Sequence, residues 1–370
     1  MYRIPISSPV FNGNEKKYLN ECIDTGWVSA NGKFVDEFSK KFAEFCGSKY
    51  SLPCSNGTVT LHLIAKALGI GPGDEVIMPT LTYIATANAI SECGATPVFV
   101  DSDINTWNID PKEVEKAITK NTKAIIPVDL YGLACDMTEL MKISEKYNIP
   151  IIEDAAEAHG ACWNGKKVGS FGKAGSFSFF GNKIITCGEG GMIVTDDEEF
   201  YKKMKLLRSQ GTDPSYKRYW HICRGYNYRM TNMQAAIGLA QLENIDWHIN
   251  ERKRVVNKYR ELLKNELGDY LIEQKVTNKE NHIYWMYSIV LSDKVKKSRD
   301  EVMRLMEEKG IEMRPLFYPM HIMPPYENKN LHLPVAEYLS SRGINLPTHA
   351  LMDDEKIEYV VNCLKEIIVE

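Results

Sequence analysis

The 370-residue sequence lacks any strong excess of charge: 45 Lys and Arg against 49 Asp and Glu leave a formal net charge of -4. That balance removes the electrostatic basis for wholesale attraction to nucleic acid or to an anionic membrane surface. No apolar run approaches the length needed to cross a bilayer, and the opening stretch MYRIPISSPVFNGNEKKYLNECI has no apolar signal core. Neither nucleic acid nor membrane is therefore expected as a partner. The nine cysteines, Cys22, Cys46, Cys54, Cys93, Cys135, Cys162, Cys187, Cys223 and Cys363, contain no CxxC pair and are odd in number. They argue against a disulfide framework or a zinc site, and for reduced thiols in the cytoplasm. A GxGxxG turn after an early strand is also missing, which disfavours a nicotinamide-dependent oxidoreductase. Internal repeats and low-complexity tracts are absent as well.

What is present is an alternation. Between about residues 50 and 200, short apolar segments (EVIMPTLTYIA, TPVFVDSD, KAIIPVDLYG, IPIIEDAAEAHG) each read as a strand running into a polar loop. Helical stretches such as PKEVEKAITK and MTELMKISEKY separate them. Such an order predicts a mostly parallel sheet with helices on both faces. In the helix after SNGT, Leu61, Ile64, Ala65 and Leu68 fall at i, i+3, i+4 and i+7, which predicts one buried stripe. A long helix over roughly Asp246 to Leu267 leads out of this region, with Ile249, Val256, Tyr259 and Leu263 on its apolar face. The segments HIYWMYSIVL, SRDEVMRLMEEKG, IEMRPLF and DEKIEYVVNCLKEIIV then predict a smaller α/β unit. The expected division is a large domain over 1–245 and a small domain over 246–370, with the N-terminal segment able to pack on the latter.

Ligands of such sheets sit beyond the carboxyl ends of the strands, so Tyr83, Asp101, Asp129, Asp154 and Glu157 become the first suspects. The richest stretch is SFSFFGNKIITCGEGGMIVTDD. There Lys183 lies between an aromatic strand and the glycine cluster Gly188, Gly190 and Gly191, with Ile184 and Ile185 beside it. Apolar surroundings disfavour a charged amine, and a lysine so placed can form a Schiff base. The pattern equally allows a structural lysine. Asp154, at the end of an apolar strand, reads as a metal ligand, an N-cap or the acid that keeps a pyridine-type ring protonated. Ser55-Asn56-Gly57-Thr58 opens a helix and could cradle a phosphate or serve as a plain cap. Tyr83 could stack on a flat ring or fill the core. In KRYWHICRGYNYRMTN, basic and aromatic residues interleave, which suits a nucleotide diphosphate or a subunit interface better than single-stranded nucleic acid.

Taken together, SNGT, PTLTYIA, EDAAEA, SFSFFGNKIITCGEGGM, GYNYRMTN and RGINLP, in that order from about residue 5 to the C-terminus, resemble the sugar-nucleotide aminotransferases. These are pyridoxal 5'-phosphate (PLP) enzymes of fold type I. The resemblance implies a large domain with a mostly parallel central sheet and a smaller C-terminal α/β domain. It gives Lys183 the cofactor-holding and proton-shuttling role, and pairs Asp154 with the pyridine nitrogen. It stacks Tyr83 on one ring face with Ala156 on the other, and places Glu157 near the ring hydroxyl. Gly57, Thr58 and Ser178 would hold the phosphate, joined by Asn227 from a second subunit, which implies a homodimer with composite active sites.

Within the family, Tyr219-Trp220-His221, GYNYRMTN, AAIGLAQLE and RPLFYPMHIMPPY point to the branch that aminates C4 of GDP-4-keto-6-deoxymannose, with L-glutamate as donor. Trp220, His221, Arg229, Arg314, Tyr318 and His321 are the expected sugar-nucleotide contacts. His321, in a Pro-rich loop, also reads as an ordinary surface histidine. The same reaction on a dTDP- or UDP-linked sugar is the alternative. A sister branch carries histidine at the lysine position and dehydrates its sugar; Lys183 argues for transamination. Two departures stand out: His159, where an apolar residue is expected close to Asp154 and Glu157, and Cys187, where threonine is common.

Overall fold

The computed structural model describes residues 3–213 and 217–369. Strands β1 (Tyr50–Cys54), β2 (Glu75–Pro79), β3 (Thr96–Val100), β4 (Thr122–Ile125), β5 (Ile152–Asp154), β6 (Ala174–Ser178) and β7 (Gly191–Thr195) form the large domain's sheet. Pairing gives β3-β2-β4 on one side and β5-β6-β7-β1 on the other. Parallel bridges Ile125–Ile151 and Val128–Asp154 join the halves into one sheet in the order β3-β2-β4-β5-β6-β7-β1. Only β7 runs against the rest, paired antiparallel to both β6 and β1. The mostly parallel sheet expected from the alternation is what forms.

Both faces are covered. Helices α1 (Glu15–Thr25) and α2 (Lys33–Cys46) pack one face through a cluster that includes Phe38, Phe42, Trp107, Phe177 and Phe179. Helix α3 (Gly57–Leu68) packs the other with Leu52, Met78, Ile90 and Met204. Here the expected single stripe falls short: Leu61, His62, Leu63, Ile64 and Ala65 are all buried. The helix is wrapped by the sheet below and by Tyr226 and Tyr228 outside, so amphipathic spacing understates its burial.

The long helix α4 (Ile245–Leu267) starts where its periodicity predicts. Its first turns add Ile245 and Ile249 to the large core; Val255, Val256, Tyr259, Leu263 and Leu267 belong to the small one. Between them buried Arg252 donates to the carbonyl oxygens of Trp285 (3.0 Å) and Thr348. The small domain is an antiparallel sheet of Leu271–Glu273, Tyr287–Leu291, Gly343–Leu346 and Arg314–Pro315, covered by helices Arg299–Glu308 and Asp354–Val369. The N-terminal segment joins it through Ile4, which bridges Ile311.

The chain crosses back once more. After Pro315 it returns over the large domain, where Met320 N–H donates to the Thr80 carbonyl (2.9 Å) and Tyr326 OH to Asn88 Oδ1 (2.8 Å). Asp101, a suspect for chemistry because it follows β3, is instead the remote cap of helix Pro334–Arg342. Its carboxylate accepts the N–H groups of Val335 (3.0 Å) and Ala336 (2.8 Å), the free donors of the first turn. Asp129 likewise serves a turn, accepting the Cys135 N–H at 2.9 Å.

Because Asp101 ties two sequence-distant elements through charge-assisted bonds, Asp101→Ala is expected to lower stability by about 1–2 kcal/mol. Urea unfolding compared with the native protein measures it.

Candidate active site

At the carboxyl ends of β5 and β6 the polar residues after the strands converge. Asp154 ends β5, 5% exposed. Its Oδ2 accepts from Thr86 Oγ1 at 2.8 Å and its Oδ1 from the Ala156 N–H at 3.2 Å. Burial raises the carboxyl above its usual range, and these two donors, with the Lys183 charge, pull it back. Glu157, three residues on, is buried too; its Oε2 accepts the Tyr131 N–H at 2.8 Å. Burial pushes its carboxyl up to about 7, against the pull of Lys183 and the Tyr131 amide.

Lys183 follows β6 in a turn closed by its N–H to the Phe180 carbonyl (2.9 Å). Its side chain is 11% exposed, with Nζ 3.8 Å from Glu157 Oε1. Nζ also stands 3.8 Å from the centroid of the Trp285 ring, which comes from the small domain. Burial lowers the ammonium's pKa, and Glu157 and then Asp154 oppose the shift. The surrounding chain therefore favours a neutral, nucleophilic amine more than water would.

Gly57 opens α3 beside the end of β6: a Cβ there would lie 2.8 Å from Ser178 Cβ. Asn56 caps the helix by accepting the Val59 N–H at 3.0 Å. The Gly57 and Thr58 amides lie in the first turn, where no acceptor within the helix reaches them. Tyr83, beyond β2, is 59% exposed and tilts against Phe317 at 5.9 Å. A phosphate cradle, an exposed ring face, a carboxylate and an amine are together the donor set that a phosphorylated pyridine aldehyde requires, and the residues fit it.

Other expected residues lie elsewhere in the chain. Asn227 is exposed and its backbone bridges Ser209. Arg229 bridges Cys54 at the edge of the cradle. Trp220 and His221 are exposed, and His221 Nδ1 donates to the Gln210 carbonyl at 2.9 Å. On the small domain, Arg314 pairs with Glu312 (3.2 Å), and the Tyr318 hydroxyl accepts from Arg299 at 3.1 Å. His321 is not a surface histidine: it is 1% exposed, with Nδ1 2.8 Å from Thr80 Oγ1 and Nε2 3.1 Å from Glu337. Both ring nitrogens are committed to holding the returning segment.

His159 makes no hydrogen bond to the polar cluster. It is fully buried among Phe42, Phe177 and Phe179, and neither ring nitrogen has a hydrogen-bond partner. Burial, and then the Lys183 charge, push its pKa down to about 3, so the neutral ring behaves as the apolar filler expected there. Cys187 is a buried thiol whose Sγ lies 3.2 Å from the Glu189 carbonyl. Thr86 and Trp285 escape sequence reasoning. Thr86 sits within PTLTYIATA and could have been found by its place after β2; Trp285 comes from a distant strand approach and leaves no local signal.

The family of DegT/DnrJ/EryC1/StrS aminotransferases matches residues 10–365. The chain belongs to this family. It is 50% identical to the GDP-perosamine synthase of Caulobacter vibrioides over 368 residues, 99% of each chain. It is 45% identical to the enzyme of the same name from Vibrio cholerae over 364 residues, 98% of each. Among solved structures, a putative sugar aminotransferase of Streptococcus pneumoniae in its PLP form superposes with a TM-score of 0.94 at 28% identity, covering all of this chain and 99% of that one. DesV of S. venezuelae gives 0.89 at 30% identity, over 95% of this chain and 94% of that one. Aminotransferases of this family depend on PLP, and the fold is that of fold type I.

Thr86→Val removes one of the two hydrogen bonds that favour ionised Asp154, so its carboxyl should shift further up. A charge-assisted bond of this kind contributes about 1.5–3 kcal/mol, and retention of PLP is expected to weaken about tenfold or more. Absorbance titration with PLP measures it, and Thr86→Ser should restore binding.

Proposed function

We propose that the protein transfers the amino group of L-glutamate to C4 of GDP-4-keto-6-deoxymannose, yielding GDP-perosamine and 2-oxoglutarate. The observation that carries the reading is the buried Lys183, with Glu157 at 3.8 Å and Asp154 at the end of the neighbouring strand. The GDP-sugar assignment is supported by identities of 50% and 45% over almost the whole chain to enzymes named for that product.

When bound, PLP supplies a carbonyl carbon that accepts amino groups and a protonated ring that draws electrons from the bonds made there. Asp154 would hold the proton on the ring nitrogen, and Thr86 and the Ala156 amide favour its ionised form. Gly57, Thr58 and Ser178 would hold the phosphate, and Tyr83 and Ala156 would flank the ring. Glu157 would be the group beside the ring hydroxyl. Lys183 Nζ takes the proton from Cα of glutamate and delivers one to C4 of the sugar. It can do both only as an amine whose charge is weakly favoured, which its burial provides. Trp220, His221, Arg229, Arg314 and Tyr318 are assigned to the nucleotide and sugar; His321 holds the loop beside them.

The functional unit is a homodimer in this reading. Tyr219 (78% exposed), Trp220 and Ile222 present apolar side chains next to Asn227, a surface suited to a second copy whose phosphate cradle Asn227 would complete. Nine unpaired thiols suit a reducing compartment, and no helix among the described residues is long and apolar enough to cross a membrane. We assign the reaction to the cytoplasm.

The deciding experiment measures 2-oxoglutarate release and product mass with GDP-4-keto-6-deoxymannose, alongside dTDP- and UDP-4-keto-6-deoxyglucose. Amination of the GDP sugar is expected. Amination of only a dTDP or UDP sugar would overturn the substrate and keep the chemistry; a deoxygenated product would overturn the transaminase reading. Lys183→Ala should lose at least about 10²-fold in turnover.

A further inference from the structure

The lysine is not held by carboxylates alone. Trp285 enters the site from the small domain, 5% exposed, with its indole face toward Lys183 Nζ. Its Nε1–H donates to the carbonyl of Asn182, the residue just before the lysine, at 2.7 Å. That bond fixes the plane of the indole relative to the lysine's own backbone.

The ring is braced from behind. Trp285 stacks on Tyr131 (6.2 Å, 21°) and on Phe317 (6.5 Å, 22°), and Tyr131 stacks on Phe317 (5.4 Å, 14°). The Tyr131 hydroxyl accepts the Phe317 N–H at 3.0 Å. Tyr131 is buried in the left-handed backbone region (φ 56°), a conformation costly for a bulky residue. In that conformation its amide donates to Glu157, the carboxylate 3.8 Å from Nζ. Gly132 follows at φ 98°, and a Cβ there would lie 3.0 Å from the Trp285 backbone nitrogen. One turn therefore sets both walls around Nζ: Glu157 through the Tyr131 amide, and Trp285 through the Tyr131 ring.

We infer that Trp285 is a positioning residue for Lys183: its indole face is the seat of the lysine's ammonium whenever the amine is not joined to the cofactor. A cation over an aromatic face, in a place closed to water, is attracted by the ring's negative face. Transamination frees the lysine in half of its cycle, and a freed flexible side chain needs a fixed place from which to return a proton. The inference thus rests on the transaminase reading for its purpose, but its physical content concerns only the lysine and the indole. The charged or titratable groups facing Nζ are Glu157, Asp154 and the neutral His159.

The test is competitive acetylation of the full-length protein freed of cofactor, across pH, with mass spectrometry of the peptide carrying Lys183. The pH midpoint of labelling reports the amine's titration, and the plateau reports access. Trp285→Phe should lower the midpoint and Trp285→Leu should lower it further. Labelling at pH 7, relative to plateau, should rise about threefold to thirtyfold in Trp285→Leu. An unchanged midpoint in the variants overturns the inference. So does a raised one, which would show that the indole serves only to exclude water. If Trp285→Leu does not fold, Trp285→Phe decides on its own. Failure here would leave amination of the GDP sugar untouched, whereas failure of that assay with a shifted midpoint would overturn the function and not the seat.

Discussion

The structure turns on taking one ammonium group out of water. Burial disfavours the charge on Lys183, while Glu157 and Asp154 favour it. Neither influence is free to dominate, because Glu157 is itself buried and titrates near neutrality, and Asp154 is tied to Thr86. A buried charge with imperfect partners costs several kcal/mol, so the walls around it must be rigid enough to hold the compromise. The remote cap by Asp101 after β3 and the return of the chain over Thr80 after β2 supply that rigidity at the same end of the sheet.

Much of this is legible in the order of residues along the chain. Strands are readable as apolar runs because a parallel sheet covered on both faces needs residues apolar on both sides. Lys183 is legible because aromatic and glycine neighbours surround it in sequence. Asp154 and Glu157 sit within one turn after β5, so local order carries them. The long helix is clear from its own periodicity, though not its membership in two cores.

What escapes has a common cause. Asp101 and Asp129 stand where catalytic acids stand, but their donors come from helix Pro334–Arg342 and from a following turn. His321, in a loop rich in proline, reads both as a sugar-nucleotide contact and as a surface histidine; its ring nitrogens in fact meet Thr80 and Glu337. Trp285 lies about a hundred residues along the chain from the lysine it faces. Position after a strand tells where chemistry could be, and only the partner across the cleft tells whether the group is available for it.

Helix α4 carries a consequence of another kind. Its 23 residues span about 34 Å and lend side chains to both hydrophobic cores. Buried Arg252 ties its middle to the carbonyls of Trp285 and Thr348. The helix is a beam shared by two rooms: neither can lose its packing without pulling a supporting member from the other. The packing on either side of the helix is therefore coupled through its backbone and through Arg252.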